Sequence, residues 1–370
     1  MEPIIQDVVQ EKGLLQFTLS GVNVSFANAI RRTILSDIPV VVFRTFPHNE
    51  NKCTIVGNNT KLNNEIIKHR LSCIPIHIDN PLDFNLDMYV MELDVQNDKD
   101  EIILVTSKDF KIKDIVTNKY LPDSERDKIF PCDPITQGYI ELVRLKPLSS
   151  HDNNGEAIQL SSEFSVGTAG ENSCWNVVST SIFQNTPDMD SIETQWAARE
   201  KELDSRLSPL EKNKIKTDFM NLDAQRYFLP NSFDFKIETI GVYTNYKLVE
   251  VSTYILIKKC KKFYQSLEVN PELIQERFCR IPFSYQIELE NEDYTFGKVI
   301  ENMMYSNLFE NEKKLTFISF KKEHPLQKNS HLLFSCAEDL EKEVIVKMIV
   351  EQTQQCIVCF QKIMDEFKDK

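Results

Sequence analysis

The run at residues 25–39, SFANAIRRTILSDIP, constrains the fold more than any other stretch of the chain. Phe26, Ile30, Ile34 and Ile38 recur every fourth residue, so in an α-helix they share one face. Ala27 and Ala29 leave room for a second backbone to approach closely. Ser25 is placed to cap the first turn, and Pro39, which has no amide hydrogen, ends the helix. The pattern predicts a helix that docks by its apolar face while Arg31 and Arg32, which that face cannot bury, point elsewhere.

The last third of the chain echoes this plan. Phe283, Tyr285, Ile287 and Leu289 alternate with Ser284, Gln286 and Glu288, which predicts a strand with one buried face. A helix follows, with Glu292 and Asp293 at its start, Thr295 as cap, and Val299, Ile300, Met303 and Met304 on its apolar side. Strands at 315–320 and 331–336 and a long helix at 340–367 complete the order strand, helix, strand, strand, helix. The first part uses the same order around a large insertion: a strand at 14–19, a helix at 26–36 and a strand at 40–43. It resumes with a strand at 233–239 and a helix at 246–264.

We read the two parts as pseudo-repeats in an α+β fold, each leaving a long amphipathic helix that needs a partner. They are expected to pair with each other. The predicted pairing residues are Phe26, Ile30, Ile34, Val249, Leu256 and Phe263 from the first repeat, and Val299, Met303, Ile357, Phe360 and Met364 from the second. The expected domains are 1–45 with 161–265, an inserted strand-rich domain at 46–160, a linker at 266–279, and 280–370.

At 370 residues the chain exceeds one comfortable core. Its 41% hydrophobic and 27% charged residues describe a folded globular protein. With 43 Lys and Arg against 56 Asp and Glu, the net charge of −13 argues against an independent nucleic-acid binder and toward protein partners. The dense basic cluster, Lys258, Lys259, Lys261 and Lys262, falls where a helix C-terminus is expected. The chain has no stretch apolar enough to span a bilayer and no secretory layout at its start, and its nine cysteines are an odd number, so an intracellular setting is expected.

The helix at 25–39, with the alternating Leu15, Phe17 and Leu19 before it and Val40 to Val42 after it, resembles the assembly motif of the alpha-type subunits of cellular RNA polymerases. Residues 1 to about 265 resemble the third subunit of the eukaryotic enzyme or the archaeal D subunit. From about 280 the chain resembles the small eleventh, or L, subunit. That second resemblance rests on Glu292, Asp293, Thr295 and Gly297, similar to an E-D-x-T-x-G signature, and on His324, Pro325 and Leu326, similar to an H-P-L turn. Both members of a subunit pair would then occupy one chain, a layout that resembles the polymerases of large cytoplasmic DNA viruses.

The resemblance implies a scaffold whose arginines face a large subunit, a task suited to a planar, permanently charged fork. It assigns large-subunit docking to Asn28, Arg31 and Arg32, and to Glu65 and Arg70 in NEIIKHRLSCIPI (64–76), which resembles another family segment. Read without the family, that segment is a short helix with Ile66 and Ile67 inward. The run SSEFSVGTAGENSCWN (161–176) resembles the family's return from its insertion, with Trp175 preceding the next strand. Residues 188–225 are highly charged and predict two exposed helices broken at Pro209.

Many alpha-type subunits bind a metal cluster in the insertion, but here the next cysteine after Cys73 is Cys132, so four closely spaced thiolates are missing. A dispersed set of Cys53, His69, Cys73 and His77 is the alternative, and Cys356 and Cys359 read as buried helix positions. No cofactor is expected. The sequence also lacks a P-loop, a nucleophile elbow, H-E-x-x-H and an aspartate cluster for catalytic magnesium.

The expected function is therefore a non-catalytic assembly subunit of a DNA-directed RNA polymerase. It would dock the largest and second-largest subunits, hold small zinc-binding subunits, bind no specific DNA sequence and no membrane, and be present in one copy. If viral, it would work in the host cytoplasm and travel in the virion; otherwise it would be nuclear. The alternatives are a free-standing adaptor or regulator with the same fold, and an enzyme built around His69, His77 and Asp79.

Overall fold

A computed structural model describes residues 1–368 other than 12, 79, 82–83, 148–154 and 204–207. The chain begins with β1 (Ile4–Glu11), β2 (Leu14–Ser20), α1 (Val24–Ser36) and β3 (Val40–Val42). There follow β4 (Cys53–Asn58), α2 (Asn64–Ser72), β5 (Tyr89–Gln96), β6 (Ile103–Thr106), β7 (Lys111–Asp114) and β8 (Lys119–Tyr120). Next come α3 (Asp123–Ile129), β9 (Glu141–Leu145), β10 (Ala157–Glu163), β11 (Ser165–Gly167) and β12 (Val178–Pro187). Two helices, α4 (Met189–Glu202) and α5 (Pro209–Asn221), precede β13 (Phe228–Thr239) and α6 (Asn245–Val269). The chain closes with β14 (Ile274–Glu276), β15 (Ser284–Leu289), α7 (Tyr294–Met304), β16 (Leu315–Lys321), β17 (Ser330–Cys336) and α8 (Lys342–Phe367).

These elements form two compact units: Met1–Ile34, Thr180–Glu238 and Asn245–Lys370 in the first, and Leu35–Ser179 with Thr239–Thr244 in the second. In the first unit one antiparallel sheet runs β1-β2-β13-β12 and another β14-β15-β17-β16. Leu15, Phe17 and Leu19 of β2 pair with Ile237, Phe235 and Phe233 of β13, so the alternation puts all six in the core, where each is at most 3% exposed. The rings of Phe17 and Phe235 lie 4.9 Å apart and parallel, and Phe367 of α8 closes on Phe17 edge-on at 4.9 Å. Helices α6 and α8 pack against one another, and α7 packs on α8.

The burial of α8 sets its phase. Cys356, Cys359, Phe360, Ile363 and Phe367 are buried, whereas Ile357 and Met364, expected in the pairing face, are only half-buried. Each lies about 100° around the helix from a buried neighbour, which turns it to the rim. Residues 266–279, read from sequence as a linker, hold the last turn of α6, a turn at Pro271–Leu273, and β14, which pairs with β15. The basic cluster at Lys258 to Lys262 therefore sits well inside α6 and not at its end.

Helix α1 is capped by Asn23, whose Oδ1 accepts the Ser25 amide, and not by Ser25, which is already helical. Likewise Asp293, not Thr295, caps α7, its Oδ1 accepting from the Thr295 amide. Strand β1 escaped the sequence reading because its alternation breaks at Asp7, a non-glycine residue at φ 52, where the register against β2 shifts. Helix α5 begins at Pro209 behind a Ser208–Glu211 capping box. Together α4 and α5 are more than a solvated face: Ile192, Trp196, Phe219 and Ala224 form a small core of their own.

In the second unit a sheet β4-β10-β5-β7-β8 carries the strand-rich insertion beside the pairs β6-β9 and β3-β11. Phe43, Phe110, Phe130 and Phe164 cluster in its core. Helix α2 buries Ile67 and Leu71, a four-residue repeat, and leaves Ile66, expected to face inward, 45% exposed.

Candidate docking site

The residues assigned to docking and pairing on the first unit lie on α1, α6, α7 and α8. The apolar side of α1 is shut: Phe26, Ile30 and Ile34 are each at most 1% exposed. The Phe26 ring lies 5.1 Å from that of Phe360 on α8, an aromatic contact across 334 positions of sequence. On α6, Val249 and Leu256 are fully buried, and Phe263 meets Phe296 of α7 edge-on at 5.7 Å. Val299 and Met303 of α7 are also buried.

The polar side of α1 is half-open. Arg31 donates from Nε and Nη2 to Asn28 Oδ1 at 3.0 and 2.8 Å, so the two residues assigned to docking hold each other one turn apart. Partial burial, and then the neighbouring Arg32 charge, lower the Arg31 pKa, but a guanidinium remains charged. Arg32 turns to the C-terminal part of the unit, where its Nη2 donates to Asp293 Oδ2 at 2.5 Å. The adjacent Glu292 pairs with Lys259 of α6 at 3.1 Å. The acidic pair of the E-D-x-T-x-G motif thus binds one cation from α1 and one from α6.

Asp293 has a carboxyl held below its usual range. Burial alone would raise it, but hydrogen bonds from Thr295 and the charges of Arg32 and Lys259 outweigh that effect. Gly297 has its own steric reason: a Cβ there would fall 2.0 to 2.5 Å from carbons of the Phe320 ring, so any side chain would displace that ring. Thr295 is buried beside it.

His324, Pro325 and Leu326 form the exposed turn between β16 and β17, where His324 Nδ1 accepts the Leu326 amide at 3.1 Å and Leu326 is 86% exposed. A groove of about 400 Å³ opens between the start of α1 and α7, lined by Asn28, Tyr294, Lys298 and Asn302 among others. Ser25 Oγ and Asn302 Oδ1, both in its lining, have no hydrogen-bond partner among the described residues.

Glu65 and Arg70 belong to the second unit, on α2. Glu65 is exposed in the first turn. Arg70 donates from Nη2 to the Glu141 carbonyl oxygen at 2.9 Å and is about 40% open to solvent. Sequence reasoning missed Arg44, whose guanidinium lies 4.9 Å over the Trp175 ring and pairs with Glu50 and Glu171. In the sequence, Trp175 is the signal that points to this turn.

Among the described residues no three of His, Cys, Asp and Glu are grouped to hold a metal ion. Cys53 is buried in the core, with its thiol pushed up to about 11, while His69 is exposed on α2. His77 lies against Gly241 with its pKa lowered by burial; Asp79 lies outside the described residues. Cys356 and Cys359 are buried, and desolvation raises both thiols. Among the described residues no helix is long and apolar enough to cross a membrane.

Comparison with known proteins places residues 16–260 within a family described as the RNA polymerase Rpb3/Rpb11 dimerisation domain. The chain is similar to DNA-directed RNA polymerase subunit Rpo3 of Pyrococcus furiosus, at 27% identity over 71% of this chain and 97% of that protein. It is also similar to the DNA-directed RNA polymerases I and III subunit RPAC1 of Homo sapiens, at 22% identity over 71% of this chain and 84% of that protein.

Proposed function

Because the chain belongs to the RNA polymerase Rpb3/Rpb11 dimerisation-domain family, we propose that it is a non-catalytic assembly subunit of a multisubunit DNA-directed RNA polymerase. The family match across residues 16–260 carries this reading. The finer part is that residues 280–370 act as the second member of the pair, built into the same chain. Its support is the repeated order of strand and helix, seen in β2-α1-β3 and in β15-α7-β16, and the side chains that join the two parts: Phe26 with Phe360, Phe17 with Phe367, and Arg32 with Asp293. A covalent joint keeps such a pair at high effective concentration, so dilution cannot separate it.

In this reading α1 presents Asn28 and Arg31, and α2 presents Glu65 and Arg70, to the two largest subunits, which perform the chemistry, while small zinc-binding subunits attach to the platform. Arg32 serves the internal pair, because its guanidinium already faces Asp293. The fused layout fits the intracellular transcription machinery of a large DNA virus. The test is Arg31→Glu in a tagged chain. The variant is expected to keep its fold by circular dichroism and to lose both large subunits on purification. Full recovery of the polymerase with this variant would remove Arg31 from the docking face.

A further inference from the structure

The two thiols at Cys73 and Cys174 are brought together by elements 101 residues apart in sequence, and neither has a part in the assembly reading. Cys73 is the C-cap of α2, its amide donating to the carbonyls of His69 and Arg70, and its side chain is exposed. Cys174 lies in the turn before β12. Asn172 Oδ1 accepts its amide at 3.2 Å, and the adjacent Trp175 is clamped between Arg44 on one side and Gly167, where a Cβ would strike the indole.

Both backbones are therefore fixed before any bond forms. The Cys174 thiol approaches the Ser72 carbonyl at 3.7 Å and the Ser72 hydroxyl at 3.9 Å, and Ser72 is the residue next to Cys73. The two cysteines line one small cavity, of about 40 Å³, with Pro75 and Asn176. The remaining cysteines are arranged differently. Cys53, Cys260, Cys336, Cys356 and Cys359 are buried, and Cys132 and Cys279 have hydrogen-bond contacts with Gln137 and Ser284 rather than with another thiol.

We propose that Cys73 and Cys174 are a reversible disulfide site, oxidised by a peroxide and reopened by a dithiol. Closing the bond needs sulfurs about 2.0 Å apart, and the exposed Cys73 side chain, at the end of α2, is the one that turns toward Cys174. Cys73, the more accessible sulfur, attacks one peroxide oxygen as a thiolate. The O–O bond breaks, hydroxide leaves, and Cys73 becomes a sulfenic acid. The Cys174 thiol, whose pKa is raised by burial, then attacks that sulfur; the S–O bond breaks, and the oxygen departs as water with the Cys174 proton. Two electrons pass from the sulfurs to the peroxide, so the step balances. The bond ties the end of α2, the helix that carries Arg70, to the turn that holds Trp175.

The experiment treats the full purified chain with hydrogen peroxide, blocks remaining thiols with an alkylating agent, and maps unreduced peptides by mass spectrometry. The expected result is one dominant cross-link, Cys73 to Cys174, lost on treatment with dithiothreitol, while Cys132 and Cys279 stay alkylated. Cys174→Ser should abolish the cross-link and leave Cys73 as a sulfenic acid that a dimedone probe captures. Cross-links of Cys73 to Cys132 or Cys279 in comparable yield, or over-oxidation of Cys73 in the unsubstituted chain with no link to Cys174, would overturn the proposal.

Discussion

Phe360 on α8 and Phe26 on α1 offer the sharpest test that the C-terminal part of the chain packs onto the N-terminal part in solution. Both side chains are fully buried, with ring centroids 5.1 Å apart. Truncating Phe360 to alanine withdraws on the order of 150 Å² of apolar surface, or roughly 4 kcal/mol at ~25 cal/mol per Å². The hole left among α1, α6 and α8 keeps the loss within the ~3–5 kcal/mol range of buried phenylalanine truncations. Phe26→Ala should lose a similar amount. The double variant should lose less than the sum by about 1 kcal/mol, because the ring–ring contact is removed only once.

Hydrogen exchange is the suitable assay, since the chain has two units and global unfolding need not be two-state. A 4 kcal/mol loss speeds exchange through cooperative opening by roughly 10³-fold. Peptides from α1 should therefore lose protection when only Phe360, on α8, is changed. If Phe360→Ala left α1 unprotected no faster than the parent chain, or if the two substitutions added without coupling, the packing of α8 on α1 would be refuted.

Three further outcomes follow from the same geometry. Gly297→Ala should destabilise the first unit by about 1–3 kcal/mol by forcing the Phe320 ring aside, seen as lost exchange protection in α7 and β16. Asp293 has a depressed folded pKa, so its contribution is fully present above the unfolded carboxylate value of about 3.9 and is lost as pH falls through the folded value. An acid titration of Asp293→Asn should lack that part of the parent's pH dependence, and identical acid profiles would show that the carboxylate contributes nothing. Arg32→Ala should weaken the internal pair by no more than about 1 kcal/mol, as expected of a partly exposed ion pair, measured as a coupling energy with Asp293→Ala.

Much of the scaffold was legible because it rests on periodicity. The four-residue stripe of Phe26, Ile30 and Ile34 and the alternation of Phe233, Phe235 and Ile237 are buried as read, since a helix face or a strand face is a local property. The misreadings came where tertiary context decides. Ser25 and Thr295 are plausible caps by type, but Asn23 and Asp293, each two residues earlier, begin the helices and take the amides. Ile357 and Met364 belong to an α8 pattern apolar over more than one face, so only the packing of α6 and α7 selects its phase. The roles of Arg32 and Glu292 were illegible for another reason. Their partners, Asp293 and Lys259, are distant in sequence, and no local pattern records a salt bridge across 261 or 33 positions.

Native mass spectrometry of a polymerase purified through this chain tests the central reading most directly. One copy of the chain beside the two large subunits, with no separate small alpha-like subunit, is the predicted composition. Two copies, or one copy accompanied by an independent eleventh-type subunit, would contradict it.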